Sequence, residues 1–175
     1  NSTASRQGSA EVAGGVAGGL LSGRGFGGTQ QYRQKFTTVN ATRTAETLIR
    51  DQSVPSMSAG LGGQWFRAWG AHSLLVGTEG RYIDGTSVDT PYAQGQPLPT
   101  VEVGGTQRLG SAFVQDTWRP SDRLTIALGA HGDVWHSESG QTGFSKSSGS
   151  FNPRASASYR IGESGVIVRG AAYHG

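Results

Sequence analysis

Alternation with period two is the feature that most constrains this chain. From Leu124 to Trp135, twelve residues place Leu124, Ile126, Leu128 and Ala130 on one face of an extended backbone. Thr125, Ala127, Gly129, His131 and Asp133 fall on the other. The same sorting recurs. Ala155, Ala157, Tyr159 and Ile161 oppose Arg154, Ser156, Ser158 and Arg160; Val166, Val168, Gly170 and Ala172 oppose Ile167, Arg169, Ala171 and Tyr173. Leu74, Val76 and Tyr82 oppose Gly77, Glu79 and Arg81. Twelve residues is long against the ~5–6 common in globular strands and suits the ~9–11 of a tilted membrane-spanning strand. Only residues 40–52 carry any helical spacing, through Ala45, Leu48 and Ile49. Without a cap or a stop they read as loop or strand extension.

Turn chemistry pairs these strands. Trp69-Gly70-Ala71-His72 joins residues 56–69 to 72–84, and Arg119-Pro120-Ser121-Asp122 joins 106–118 to 123–135. Gly162-Glu163-Ser164 joins 151–161 to 165–175, and a fourth hairpin turns near Arg24-Gly25. Between hairpins lie polar, Pro/Gly/Ser-rich stretches at 85–104, 137–149 and 40–56, which read as long loops. The chain is therefore expected to be all-β: an antiparallel meander of about eight long strands, short turns at one end and long loops at the other.

What covers the apolar faces is a separate question. A soluble sandwich would hide them in a core; a barrel wall would turn them to lipid and its polar face to a wet lumen. Only 34% of the chain is hydrophobic and 29 of 175 residues are glycine, with no collagen-like period. Small apolar residues fill a close-packed core poorly, whereas lipid fits any shape. Trp65, Trp69, Trp118 and Tyr159 stand near strand ends, as interfacial aromatics do. The balance favours the barrel.

The net charge of +3 comes from fifteen basic residues scattered singly, with neither a cluster nor a basic helix. That pattern reads as solvated or ion-paired surface and argues against a nucleic-acid partner. There is no cysteine, hence neither a disulfide framework nor a thiol metal site. No apolar run is long enough for a membrane helix, and no signal peptide opens the sequence. The chain ends in full strand character at "GVIVRGAAYHG", so we expect a fragment of a longer protein.

Two consecutive hairpins carry a family resemblance. "FVQDTWRPSDRLTIALGAHGDVW" resembles a hairpin of TonB-dependent outer-membrane receptors, an aromatic-x-Gln-Asp strand turning into Leu-x-Leu-x-Leu-Gly-x-Arg-x-Asp. "FNPRASASYRIGESGVIVRGAAYHG" is similar to the hairpin that follows it there, Phe-x-Pro-Arg and then a strand ending in aromatic-x-Gly. The resemblance is firm over residues 110–175 and looser over 25–85, where "HSLLVGTEGR" is similar to an earlier strand. His131 stands where the family usually has Arg, so a salt bridge there is not assumed.

The resemblance implies a Gram-negative outer-membrane location and a 22-stranded barrel closed around an N-terminal plug. It implies import of a scarce ligand (a ferric siderophore, cobalamin or a glycan) driven by the TonB complex. Residues 1–175 would then be a partial barrel, with plug, TonB-contacting segment and remaining strands outside them. The implied partners are outer-membrane lipid, the plug, TonB and the ligand. Two alternatives stay open: a small self-closing outer-membrane barrel, serving as adhesin or structural protein, and a soluble β-sandwich binding module.

No catalytic arrangement is legible, and the reading is of a non-enzyme without a cofactor or metal. "GFGG" and "GLGG" lack the strand-to-helix setting of a phosphate loop, and the four histidines show no ligating spacing. The candidate lumen-facing residues are Glu79, Arg81, Asp116, His131, Asp133, Arg154 and Arg169, read as a structural network before a ligand site. The turn at 119–122 is expected to set Asp116 beside His131 and Asp133, with Phe113, Gln115 and Thr117 facing outward. Ligand contact is expected from the loops, through Tyr92 and Phe144.

Overall fold

The protein was analysed as a computed structural model that describes residues 1–163 and 165–174. It is a strand meander with no helix among the described residues. The elements are β1 (Ser2–Val16), β2 (Gly19–Val39), β3 (Glu46–Trp69), β4 (His72–Ala93), β5 (Gln96–Pro97), β6 (Val101–Ser121), β7 (Leu124–Ser139), β8 (Ser145–Ile161) and β9 (Val166–Tyr173). All pair antiparallel in the order β1-β2-β3-β4-β6-β7-β8-β9, and the two-residue β5 hooks back on β4. The sheet is open, because β1 and β9 end the order and do not pair with each other.

Three expectations need correction. The first hairpin turns at Ala17-Gly18, both at positive φ (51° and 72°), rather than near Arg24-Gly25. The glycines around residue 25 are strand residues, with Gly25 opposite Ala10. The second correction concerns the supposed long loops, most of which are strand. Residues 46–56, 85–93 and 101–104, and 145–149, belong to β3, β4, β6 and β8, leaving connections at 40–45, 94–100 and 140–144. A strand that has left the apolar layer is polar on both faces, so its composition reads as loop although its ladder continues. The third is the β6–β7 connection, which is Asp122-Arg123, with β6 running on through Ser121. Ser164, part of the turn expected at 162–164, lies outside the described residues.

No residue of the described chain is buried. The protein is one layer thick, and Val12, Leu61, Leu128 and Val134 stand more than half exposed. A sandwich needs a second sheet over such a face, and none is present among the described residues. Backbone ladders hold each strand to its neighbours, but none of the described residues covers the apolar surface.

Register shows how that surface is organised, since directly paired residues share a face. One apolar-face row runs Trp69, His72, Trp118, Ile126, Ala157, Gly170 across six strands at the short-turn end. Another runs Ala59, Tyr82, Arg108, His136, Ser147 toward the loop end. The rows between are chiefly apolar or small, as in Leu61, Gly80, Gly110 and Val134. Along β6 the ten steps from Arg108 to Trp118 span roughly 33 Å at ~3.3 Å each. At the ~35–45° tilt of a barrel strand that is about 23–27 Å of height, close to the ~25 Å apolar band of outer-membrane barrels.

Glycine fits this sheet for a steric reason at two places. A Cβ on Gly77 would fall within the Phe113 ring, and one on Gly60 within the Phe26 ring. Each aromatic lies flat across its cross-strand neighbour, covering backbone that a larger residue would occupy.

Candidate functional site

The polar face is the candidate site, and register assembles it. Arg24, Gly62, Glu79 and Ser111 form one row; Phe26, Gly60, Arg81 and Leu109 form the next. Phe113, His131 and Asn152, and Gln115, Gly129, Arg154 and Tyr173, form two more across β6 to β9. Glu79, Arg81, His131, Asp133, Arg154 and Arg169 thus share one face.

Asp116 does not join them. It pairs with Leu128 and Leu74, on the face of Val114, Trp118 and Ala130, while Phe113, Gln115 and Thr117 lie on the His131 face. The cause is a bulge. Trp118 pairs with Ile126 but Ser121 with Leu124, so Arg119-Pro120 gives β6 one residue more than β7. One extra residue reverses the facing of everything upstream in the strand. Pro, which has no ladder donor, is suited to such a position. The Arg119 amide instead donates to Ala71 O of the neighbouring turn, at 2.8 Å.

On the apolar face Asp116 is paired. His72 Nδ1 lies 2.7 Å from Asp116 Oδ2. The imidazole stacks between Trp69 and Trp118, at 5.8 and 5.9 Å between centroids with interplanar angles of 17° and 4°. The other carboxylate oxygen, Oδ1, is shielded from solvent and has no hydrogen-bond partner.

Two grooves mark the polar face. The first, about 730 Å³, is lined by Glu11, Arg24, Phe26, Gln64, Glu79 and Phe113 among others. Arg24 Nε lies 3.5 Å from Glu11 Oε1, and the Arg24 and Arg81 guanidinium carbons sit 5.9 and 6.0 Å from the Phe26 centroid. The second, about 680 Å³, is lined by Phe113, Gln115, His131, Asn152, Arg154 and Tyr173 among others. Here Arg154 donates to Gln115 Oε1, and His131 Nε2 lies 3.2 Å from Asp133 Oδ1. Ser150 Oγ donates to Asp133 Oδ2 at 3.1 Å, and His131 meets Phe113 edge to face at 6.3 Å. No three metal-ligating side chains converge among the described residues. Exposed pairs of this kind contribute about 0–1 kcal/mol each, so the network orders side chains more than it stabilises the sheet.

Sequence reading missed a third cluster on this face, nearer the loops. Arg50 lies over Phe36, 4.0 Å from its centroid, with Nε 3.7 Å from Asp89 Oδ1. Gln52 Nε2 donates to Ser87 Oγ at 3.0 Å and to Asp89 Oδ2 at 3.3 Å. Arg50, Gln52, Ser87 and Asp89 fall in the segments read as loops. The alternation of Gln30, Tyr32, Gln34 and Phe36 was the available signal that β2 continues past its apolar stretch. Tyr92 closes β4 opposite Pro97, and Phe144 stands 63% exposed in the 140–144 connection.

A single-layer antiparallel meander, apolar on one face between an aromatic row and a polar row and charged on the other, is the wall of a transmembrane β-barrel. The family described as TonB dependent receptor-like, beta-barrel matches residues 4–173, and the chain belongs to that family. Its members are outer-membrane barrels of Gram-negative bacteria, and they are receptors and transporters. Among solved structures the fold is similar to copper transporter OprC, with a TM-score of 0.75 at 11% identity over 95% of this chain and 30% of that one. It is similar to the pyoverdine outer membrane receptor FpvA from Pseudomonas aeruginosa PAO1, at 0.74 and 14% over 92% and 28%. It is also similar to the ferric yersiniabactin uptake receptor FyuA from Yersinia pestis, at 0.67 and 12% over 92% and 26%. The chain thus spans under a third of each of these structures. No curated protein matches it.

Proposed function

We propose that this chain is a stretch of barrel wall in a TonB-dependent transporter that imports a scarce ligand of the ferric siderophore, cobalamin or glycan class. The family match across residues 4–173 carries the reading, and the two-faced sheet supports it. Residues 1–175 supply part of the barrel, and the plug, the TonB-contacting segment and the other strands lie outside them. The polar face lines the lumen, where Glu79, Arg81, His131, Asp133, Arg154 and Arg169 hold the wall wet and meet the plug. Ligand contact comes from the loop end, through Tyr92 and Phe144. The self-closing barrel is not favoured, because β1 and β9 do not meet. Nor is the soluble sandwich, because among the described residues no second sheet covers the apolar face.

The test uses the whole receptor. Strains with and without its gene, each with and without TonB, are fed ferric siderophores, cobalamin or oligosaccharides at limiting supply. TonB-dependent loss of growth on one class is expected, and growth unaffected on every class overturns the transport reading. Replacing 92–100 and 140–144 with neutral sequence then tests the contacts, and unchanged affinity for the imported ligand sinks that part.

A further inference from the structure

Charge on the polar face is divided by height. Between the Gln115 row and the loops, acids and bases are mixed: Glu11 with Arg24, Asp133 with His131, Asp89 with Arg50. From that row to the short turns, this face carries no carboxylate among the described residues. It carries arginines instead. Arg154 pairs with Gly129 and Tyr173, Arg169 with Ser158, and Arg160 with Ile167. The Arg160 amide donates to Arg123 O at 2.8 Å, which sets Arg123 beside it at the turn. Bases that lie singly along the sequence thus become a ladder on neighbouring strands. From Arg154 to Arg160 along β8 it runs about 20 Å at ~3.3 Å per residue.

All four arginines are exposed, and among the described residues none takes part in an ion pair. Only the Arg154 guanidinium has a hydrogen-bond partner there, Gln115. Asp122 and Glu163 stand in the turns, outside the ladder. A guanidinium does not give up its proton, so this end of the wall holds fixed positive charge that no described residue neutralises. The side chains between the arginines are small. Ala127, Ser156 and Ala171 line a groove of about 680 Å³ with Arg154 beside it, and Arg169 and Arg160 occupy the next two same-face rows toward the turns.

A cleft lined by one sign of charge concentrates ions of the other. On the transporter reading, which this inference rests on, the short turns face the periplasm, so the ladder lines the exit of the lumen. We infer that β7 to β9 form the exit path of a ligand that crosses as an anion, with Arg154, Arg169 and the Arg160–Arg123 pair as successive stations. Carboxylates or catecholates on a ferric chelate make charge-assisted bonds to each guanidinium in turn. The ladder narrows the proposed ligand to anionic ferric chelates, since cyanocobalamin and neutral glycans carry no net charge for it to hold.

Cells carrying the full receptor are given radiolabelled ferric citrate or a ferric tricatecholate, both anionic, or a neutral ferric trihydroxamate, cyanocobalamin or maltohexaose. TonB-dependent uptake of an anionic chelate is expected. Arg160→Gln with Arg169→Gln should lower its rate about tenfold while its binding to de-energised cells stays unchanged, which also shows that the variant is folded. Arg160→Lys with Arg169→Lys keeps the charge and should import near the wild-type rate. Uptake of neutral probes alone, a glutamine variant that imports as wild type does, or a lysine variant as slow as the glutamine one overturns the inference. So does TonB-independent entry of vancomycin into the glutamine variant, which would make the arginines only a seal for the plug. Uptake of no probe, or uptake that persists without TonB, refutes the transport reading itself.

Discussion

The pairing of His72 with Asp116 makes a quantitative prediction that follows from the bulge. Asp116 sits one row inside the Trp118 row, about 5 Å below the aromatic level for a tilted strand. At that depth an acidic side chain facing lipid costs roughly 0–1 kcal/mol. A hydrogen bond to a charged group contributes about 1.5–3 kcal/mol, and His72 makes the only hydrogen bond to Asp116 among the described residues. His72→Phe keeps an aromatic ring between Trp69 and Trp118 but strands the carboxylate, so it should destabilise the barrel by about 1.5–3 kcal/mol. Asp116→Leu alone should cost less, because leucine suits this face. The double variant His72→Phe/Asp116→Leu should return to within about 0.5 kcal/mol of wild type, as replacing both partners with apolar groups usually does. Urea unfolding of the full receptor in lipid vesicles, followed by tryptophan fluorescence, measures all four corners of the cycle. A coupling below about 0.5 kcal/mol, or a double variant as unstable as His72→Phe, would refute both the pairing and the lipid-facing position of Asp116.

Because the chain has no cysteine, single cysteines report facing directly. Gln115→Cys should react from the lumen with a membrane-impermeant maleimide once the plug is removed, and Asp116→Cys should not; deletion of Pro120 should exchange the two. Labelling of residue 116 in the undeleted protein would show the register to be wrong. Gly77→Val forces a branched side chain into the Phe113 ring and should cost about 1–3 kcal/mol. Phe113→Ala should recover part of that loss in the same unfolding measurement, whereas additive losses would mean that the ring does not cover Gly77.

The strand interiors were legible from sequence because period two is a local property. Leu124, Ile126 and Leu128 against His131 and Asp133, and Ala155 and Ala157 against Arg154, need only the pleat to fall on opposite faces. Within one strand, therefore, sequence alone determined which residues travel together, and that the fold is a meander of long antiparallel strands. It did not determine how strands join. Asp116 was placed with His131 by counting back from the turn, and one bulge residue at Arg119-Pro120 reversed the count. That bulge depends on pairing with both neighbouring strands, including the bond from Arg119 to Ala71, so no local pattern announces it. Glycine near residue 25 looked like a turn for a related reason, since local chemistry does not tell a turn glycine from a strand glycine such as Gly25, which lies opposite Ala10. Arg50, Gln52 and Asp89 went unseen because beyond the apolar band both faces are polar and alternation fades, while the ladder inherited from the adjacent strand keeps the backbone extended. Tertiary pairing alone decided those three matters, because each is a relation between strands rather than a property of one.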